Sequence, residues 1–145
     1  MSSQTAVSIF MGSKSDLPVV QAAADTLAEF DISYNMYILS AHRTPEEVVK
    51  TIKESEQNGV KVFIAAAGMA AHLAGAVAAH SIRPVIGIPI ESGGMGGMDS
   101  LLSTVMMPPG VPVATVAVGK SGAKNSAILA VQILATSNEE FAQKL

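Results

Sequence analysis

The fold of this chain is decided by one apolar stretch, KVFIAAAGMAAHLAGAVAAH, which occupies residues 61–80. Within it, residues 62–79 contain a single polar side chain, that of His72, and a stretch this long raises the question of a membrane span. Gly68 divides it into two short pieces, however, and alanine and glycine supply most of its residues. The pattern therefore predicts a strand over residues 61–66 followed by a helix over residues 70–80, and not a membrane-spanning helix.

Short apolar runs and helical patterns alternate along the rest of the chain. Besides 61–66, strands are predicted over residues 5–11, 33–39, 84–89 and 111–118. Because these runs are continuously apolar, the sheet is expected to be parallel, with helices covering both of its faces. We therefore predict a single domain over residues 1–145, an α/β fold with a doubly wound parallel five-stranded sheet in a three-layer α/β/α arrangement.

Three further helices and one irregular segment complete the pattern. The first helix is expected to begin at Asp16-Leu17-Pro18, since proline is tolerated in the first turn. The second begins with Thr44-Pro45-Glu46-Glu47, which matches a capping box, and should end at Asn58-Gly59. A last helix over residues 123–136 is apolar on nearly every face. The segment 90–112 is rich in Gly, Met and Pro and is predicted to be an irregular connection with a functional or interfacial role.

Charge and composition exclude several classes of function. The chain has 9 basic and 12 acidic residues, a formal net charge of -3 and no basic block, which argues against binding to nucleic acid or to an anionic membrane. It has no cysteine, so neither a disulfide nor a thiolate metal site can form. Its three histidines have no matching carboxylate spacing, which argues against a metal site.

The balance of apolar and charged residues predicts self-association. Hydrophobic residues make up 49% of the chain and charged residues 14%. This composition provides more apolar surface than one small core requires, so we expect a homo-oligomer. The helix over 123–136 and the Met-rich segment are the surfaces expected to be buried in it.

Residues 1–6 lack a basic region followed by an apolar run, so no secretory signal is expected and the protein is predicted to be cytoplasmic.

Three segments follow the first three predicted strands, where open α/β sheets bind their ligands. They are GSKSD (12–16), SAHRTP (40–45) and AGMAAH (67–72). The first two lead into helix N-termini, whose free N–H groups and dipole favour an anion.

The side chains in these segments suit a sugar phosphate. Ser13 and Ser15 add hydroxyl donors, and Arg43 can hold a phosphate through two hydrogen bonds where lysine cannot. Asp16 can accept hydrogen bonds from a ribose diol. The segments together therefore predict a sugar-phosphate site.

Each of these residues also has a structural interpretation. Ser15, Asp16 and Thr44 are all suited to capping a helix, and Arg43 could be an ordinary surface charge. Each of the three histidines could be structural, and for His80, near a helix end, that is the favoured interpretation.

The glycine motifs are weak evidence for a nucleotide-binding loop. Residues 12–15 lack the spacing of a P-loop, and Gly119-Lys120-Ser121-Gly122 fits a tight turn better than an anion site.

Several motifs taken together resemble the class I 5-(carboxyamino)imidazole ribonucleotide mutases of purine biosynthesis, over nearly the whole chain and in order. These motifs are MGSKSD (11–16), SAHRTP (40–45), AGMAAHL (67–73), DSLLS (99–103) and MPPGVPVAT (107–115). The chain departs from the family at three positions: Met69 replaces a common Gly, Ala74 stands where Pro often follows His-Leu, and Met106 stands where Gln often precedes Met-Pro.

The resemblance implies a flavodoxin-like subunit of an octamer that uses no metal and no organic cofactor. It implies a mutase that moves a carboxylate from the exocyclic nitrogen of an aminoimidazole ribonucleotide to carbon 4 of the ring, on the route to IMP. His42 would be the general acid and base, since histidine can gain and lose a proton near neutral pH. The substrate-binding residues predicted from the segments and the resemblance are Ser13, Ser15, Asp16, Ser40, Ala41, Arg43, Gly68, Ala70, His72 and Leu73.

Two alternatives remain. One is a carboxylase of the same fold that uses free carbon dioxide; that class resembles this chain less, because it tends to carry Lys in place of Arg43 and a more polar segment in place of residues 68–72. The other is a non-catalytic flavodoxin-like module that binds a nucleotide. A receiver of that type should have an acidic cluster after the first strand, and a flavin binder should have aromatic residues in its loops; this sequence has neither.

Overall fold

The computed structural model of the chain describes residues 4–145, so the first three residues of the N-terminal segment considered above lie outside it. The strands are β1 (Val7–Met11), β2 (Tyr34–Ile38), β3 (Val62–Gly68), β4 (Val85–Ile90) and β5 (Ala114–Thr115). All pair in parallel, in the order β2-β1-β3-β4-β5. This is the flavodoxin-like order, in which the direction of winding reverses between β1 and β3. The predicted parallel sheet is confirmed.

Six helices connect or follow these strands in residues 4–145. They are α1 (Leu17–Glu29), α2 (Pro45–Gln57), α3 (Leu73–His80), α4 (Met98–Val105), α5 (Lys120–Ala135) and α6 (Glu139–Lys144), and a 3₁₀ turn (Lys14–Asp16) precedes α1. The apolar stretch 61–80 forms β3 and α3, as predicted. Over the part of the chain that the structure describes, no helix has the length and apolar character needed to cross a membrane.

The two faces of the sheet carry separate cores. On one face, α1 and α5 pack on residues of β1, β3 and β4; on the other, α2 and α3 pack on Phe10, Phe63 and their neighbours. Alternate side chains of β1 point to opposite faces of the sheet. Ile9 lies in the first core and Phe10 in the second, and both are fully buried. Burial on both sides explains why the central strands β1, β3 and β4 are almost continuously apolar, whereas the edge strand β2 is only partly buried. The predicted three-layer α/β/α arrangement is confirmed.

Two elements are markedly shorter than predicted. The helix predicted over 70–80 begins only at Leu73, because the chain after β3 first turns through Met69, whose φ is +56°. The strand predicted over 111–118 is reduced to Ala114–Thr115. Pro89 and Pro112 have no N–H to donate at this edge, and single hydrogen bonds such as that from the Val116 N–H to the Gly87 carbonyl replace a full ladder.

The segment 90–112 is not wholly irregular, since it contains α4. The Ser100 hydroxyl donates to the carbonyl of Ile90 and also lies within hydrogen-bonding distance of that of Gly97, so it ties α4 to the end of β4. The large apolar side chains that remain exposed lie mainly on this segment. They include Met95, Met98, Leu102, Val105 and Met106.

The helix predicted over 123–136 contributes less exposed apolar surface than expected. It runs from Lys120 to Ala135, and its residues Ala123, Ala127 and Val131 are fully buried in the core that it shares with α1. Ile133 is also partly covered by that core. The apolar character of this helix is thus explained largely by packing within the chain.

Candidate active site

Three loops leave the sheet at the same edge. Met11, the last residue of β1, is in register with Ile38 at the end of β2 and with Ala66 near the end of β3. The loops that follow these strands therefore meet, together with the loop after β4. They enclose a cavity of about 450 Å³, a volume that is ordinary for a small-molecule site.

All of the site residues predicted from the sequence line this one cavity. They are Ser13, Ser15, Asp16, Ser40, Ala41, His42, Arg43, Gly68, Ala70, His72 and Leu73. The lining also includes Gly12, Ala67, Met69 and Ser92, which were not predicted as site residues. Among the described residues that line the cavity, none is Phe or Tyr, so the aromatic stacking expected of a flavin site is missing there.

The first loop is held in shape by its own hydrogen bonds. The Gly12 N–H donates to the Ala66 carbonyl, which fixes the loop against β3. The Ser13 hydroxyl accepts from the Ser15 N–H, and the Asp16 carboxylate accepts from the Ser13 N–H at 3.2 Å. This is a reciprocal capping box, so the capping residue is Ser13 rather than Ser15 or Asp16.

Asp16 is the only acidic side chain among the described residues of the cavity lining. It is 5% exposed. Burial raises the pKa of this carboxyl group, while hydrogen bonds from the backbone N–H groups of Ser13 and Gly12 act in the opposite direction. A carboxylate held in this way is a fixed acceptor, as the binding of a ribose hydroxyl requires.

The second loop is a compact turn closed by Ser40 and Thr44. The Thr44 hydroxyl donates to the Ser40 carbonyl at 3.0 Å and accepts from the Ser40 N–H at 3.1 Å. The Ser40 hydroxyl accepts from the Arg43 N–H. His42 lies within this turn, and its side chain is exposed, so the backbone of the loop is fixed without using the imidazole.

These bonds correct the prediction of a capping box at Thr44. Thr44 is the N-cap of α2, Pro45 is its first residue and Asn58 is its C-cap, as expected. However, the Thr44 side chain makes no capping hydrogen bond, because Ser40 engages it instead. Thr44 therefore shapes the loop that carries His42 rather than the end of the helix.

The third loop brings a second histidine beside the first. The rings of His42 and His72 are nearly parallel, with an interplanar angle of 6° and centroids 5.8 Å apart. Gly68 lies close to the loop after β4: a methyl group at Gly68 would collide with the Ser92 hydroxyl. The absence of a side chain at Gly68 thus lets the loop after β4, with Ser92, lie close to the end of β3.

Ser92 is the polar residue that the sequence analysis missed. It follows β4 at the same edge of the sheet, and the rule that ligands bind beyond the carboxyl ends of the strands applies to this loop as well.

Two other residues discussed from the sequence, His80 and Gly119, lie outside the cavity lining. The Nδ1 atom of His80 is 2.9 Å from the Ala76 carbonyl oxygen. The prediction of a tight turn at residues 119–122 is wrong: Gly119, with φ +86°, is the N-cap residue of α5, and the next three residues form its first turn, also outside the cavity lining.

Comparisons with known proteins agree with this picture. Residues 6–145 match the family model described as AIR carboxylase. The N5-carboxyaminoimidazole ribonucleotide mutases of Pyrococcus abyssi and Escherichia coli K12 are 52% and 48% identical to this chain, each over 96% of its length and over 79% and 82% of their own. That of Bacillus subtilis 168 is 49% identical over 98% of this chain and 88% of its own.

A solved structure agrees as well. The crystal structure of Treponema denticola PurE superposes with a TM-score of 0.86 and 34% identity, covering 95% of this chain and 85% of that one. The family match extends over almost all of the chain, and the relatives are similar over most of their own length. This chain therefore belongs to the AIR carboxylase family.

Proposed function

We propose that this chain is a single catalytic domain that converts N5-carboxyaminoimidazole ribonucleotide to its 4-carboxylated isomer in purine biosynthesis. One observation carries the proposal: eleven residues predicted from separate motifs line one cavity. It is supported by relatives about half identical in sequence that are named for this activity. A cytoplasmic location is part of the proposal, because a phosphorylated substrate does not cross membranes unaided.

The phosphate is assigned to the side of the cavity formed by the first two loops. Both loops lead into helix N-termini, whose dipole favours an anion. The N-terminus of α2 has no side-chain cap, whereas the Ser13 and Ser15 N–H groups of the first loop are bonded within its capping box. Within residues 4–145, the Arg43 guanidinium forms no salt bridge with a carboxylate, so its charge is available to an anion. Asp16 then lies where it can accept from the ribose hydroxyls.

The reaction needs one group that can both give and take a proton, and we assign it to His42. Protonated His42 donates a proton to the carbamate nitrogen as the bond between that nitrogen and the carboxyl carbon breaks, which leaves carbon dioxide and the aminoimidazole. Carbon 4 of the ring then attacks the carbon dioxide to form the new bond. Neutral His42 removes the proton from carbon 4, which restores the aromatic ring and the starting form of the histidine.

The cavity contributes by holding the intermediates together. Carbon dioxide kept beside the nucleophile reacts as part of the same complex, an effect that can supply roughly 7–11 kcal/mol. Gly68 and Ala70 are small residues on the cavity wall, so the backbone there can approach a flat base closely. Arg43 and the apolar residues 69–71 favour the mutase over the carboxylase that uses free carbon dioxide.

A single-turnover assay tests this function and separates it from the carboxylase. The enzyme is mixed with unlabelled carbamate ribonucleotide in buffer that contains isotopically labelled bicarbonate. We expect rapid formation of the 4-carboxylate product, largely without label. Substantial label in the product would assign the chain to the carboxylase class, and no product at all would contradict both activities.

Arg43→Ala is expected to weaken binding of the ribonucleotide by about 10- to 100-fold, because a charge-assisted hydrogen bond is worth about 1.5–3 kcal/mol. Inhibition by the product ribonucleotide should be compared with inhibition by its dephosphorylated riboside. Only the ribonucleotide should lose affinity. Arg83→Ala is the control, since Arg83 is exposed and is not part of the cavity lining. Equal losses for both ligands would show that Arg43 does not bind the phosphate.

We also propose that the protein is a homo-oligomer, most simply the octamer that the family resemblance implies. Met98, Leu102, Val105 and Met106 form one stripe along α4 and its end, with Leu102 50% and Met106 75% exposed. A charge placed in this stripe should split the assembly. Light scattering of the wild-type protein is expected to give a mass well above that of a monomer. The Leu102→Glu variant should give a smaller mass. Gln132→Glu, a change on the exposed surface of α5, should leave the mass unchanged. A wild-type monomer at micromolar concentration would contradict this proposal.

A further inference from the structure

Met69 has a backbone conformation that its side chain does not favour. Its φ is +56°, and among residues 4–145 the only other non-glycine residue with a positive φ is Asp31. Aspartate tolerates this left-handed region because its short polar side chain can bond locally, whereas methionine has no such compensation. Strain of this kind typically costs about 1–3 kcal/mol and is concentrated at functional sites.

The Met69 side chain reaches across the edge of the cavity. Met69 lines the cavity, and its Cγ lies against Gly93, only 3.4 Å from the position that a Cβ on Gly93 would occupy. The side chain thus bridges the loop after β3 and the loop after β4. It is nevertheless 60% exposed, so most of its apolar surface has no partner within the chain.

An exposed apolar side chain at the edge of this cavity suits one particular task. Carbon dioxide that is generated in place has to be attacked before it escapes or is hydrated, and excluding water from the site favours that outcome. Methionine is unbranched and flexible, so it can adapt its shape to a bound ring. Gly93 has no side chain, and the space that a Cβ there would need is taken by the Asp99 carboxylate, 2.7 Å away, and by the Met69 Cγ.

We propose that Met69 is an apolar cover that packs on the bound aminoimidazole ring and retains carbon dioxide in the cavity. The inference rests on the proposed mutase function and deepens it. The backbone strain is then the consequence of placing a side chain, rather than a glycine, at this turn. Met69 takes no part in the transfer of protons or in bond formation, which stay with His42 and the substrate.

The test uses Met69→Gly, which removes the cover and relieves the strain, and Met69→Leu, which keeps an apolar side chain. In the single-turnover assay with labelled bicarbonate, we expect Met69→Gly to incorporate at least about five times more label than the wild type. Met69→Leu should stay near the wild-type level. Affinity for 5-aminoimidazole ribonucleotide, measured by calorimetry, should fall about three- to tenfold in Met69→Gly, as expected for partial loss of a buried apolar contact.

Asp31→Gly is the control, because it also relieves a positive φ and lies outside the cavity lining. The exposed ion pair with Lys144 that it removes lies outside the lining as well. Equal labelling and affinity in Met69→Gly and the wild type would overturn the proposal, as would an equal rise in Asp31→Gly. A change in oligomer mass or melting temperature without a change in labelling would assign Met69 a structural role instead. If the wild type itself formed no product, the mutase function would fail, while the calorimetric comparison would still decide whether Met69 covers the bound ring.

Discussion

His42→Asn is expected to lose about 10²- to 10⁴-fold of its activity while it folds and binds ligand normally, since that is the range that a general acid–base group supplies. Asparagine keeps hydrogen-bonding capacity but cannot exchange a proton near neutral pH. The loop should keep its shape, because its closing hydrogen bonds are made by Ser40, Arg43 and Thr44 rather than by the imidazole. The variant should therefore still bind the product ribonucleotide with close to wild-type affinity.

His80→Asn provides the matched control for this experiment. His80 lies outside the cavity lining, and its Nδ1 is close to the Ala76 carbonyl oxygen of its own helix. Initial rates and calorimetric affinities should be measured for both variants. Retention of more than a few per cent of activity in His42→Asn would contradict the assignment of His42, and a comparable loss in His80→Asn would point to a general effect of losing any histidine.

Gly122→Ala is expected to destabilise the protein strongly, although alanine is the better helix former. Gly122 lies in the first turns of α5 and is buried. Helix propensity alone predicts a gain of about 1 kcal/mol from this change. The added methyl group, however, would overlap the backbone carbonyl of Ala117, which cannot rotate away as a side chain could. Overpacking of this kind typically costs 1–3 kcal/mol or more, a large part of the roughly 5–15 kcal/mol that holds a domain folded.

The experiment is decisive because helix propensity and overpacking predict opposite changes in the free energy of unfolding. The free energy of unfolding should be measured by urea titration for Gly122→Ala and for Ser121→Ala. Ser121 is the exposed neighbour in the same turn, so alanine there should change the stability by no more than about 0.5 kcal/mol. If Gly122→Ala were as stable as the wild type or more so, the close approach of α5 to Ala117 would be wrong.

Helix caps and loop conformations were the features least accessible to prediction. Thr44-Pro45-Glu46-Glu47 has the composition of a capping box, yet the Thr44 hydroxyl bonds to Ser40. A threonine can cap a helix or close a turn, and which partner it takes depends on where the preceding loop lies in space. The box formed instead at Ser13 and Asp16, whereas Ser15 and Asp16 were the capping candidates in that segment.

By itself, the sequence determined the layered parallel sheet and the place of the site. Strands buried on both faces must be continuously apolar, and the polar residues that follow such strands must collect at one edge; both properties are local and can be read along the chain. Only the tertiary structure decided that Ser92 joins the site, that Met69 has a left-handed backbone and that α4 leaves its apolar stripe exposed. These features depend on which segments approach each other across the sheet, and distances between residues far apart in sequence leave no periodic or local signal in the chain.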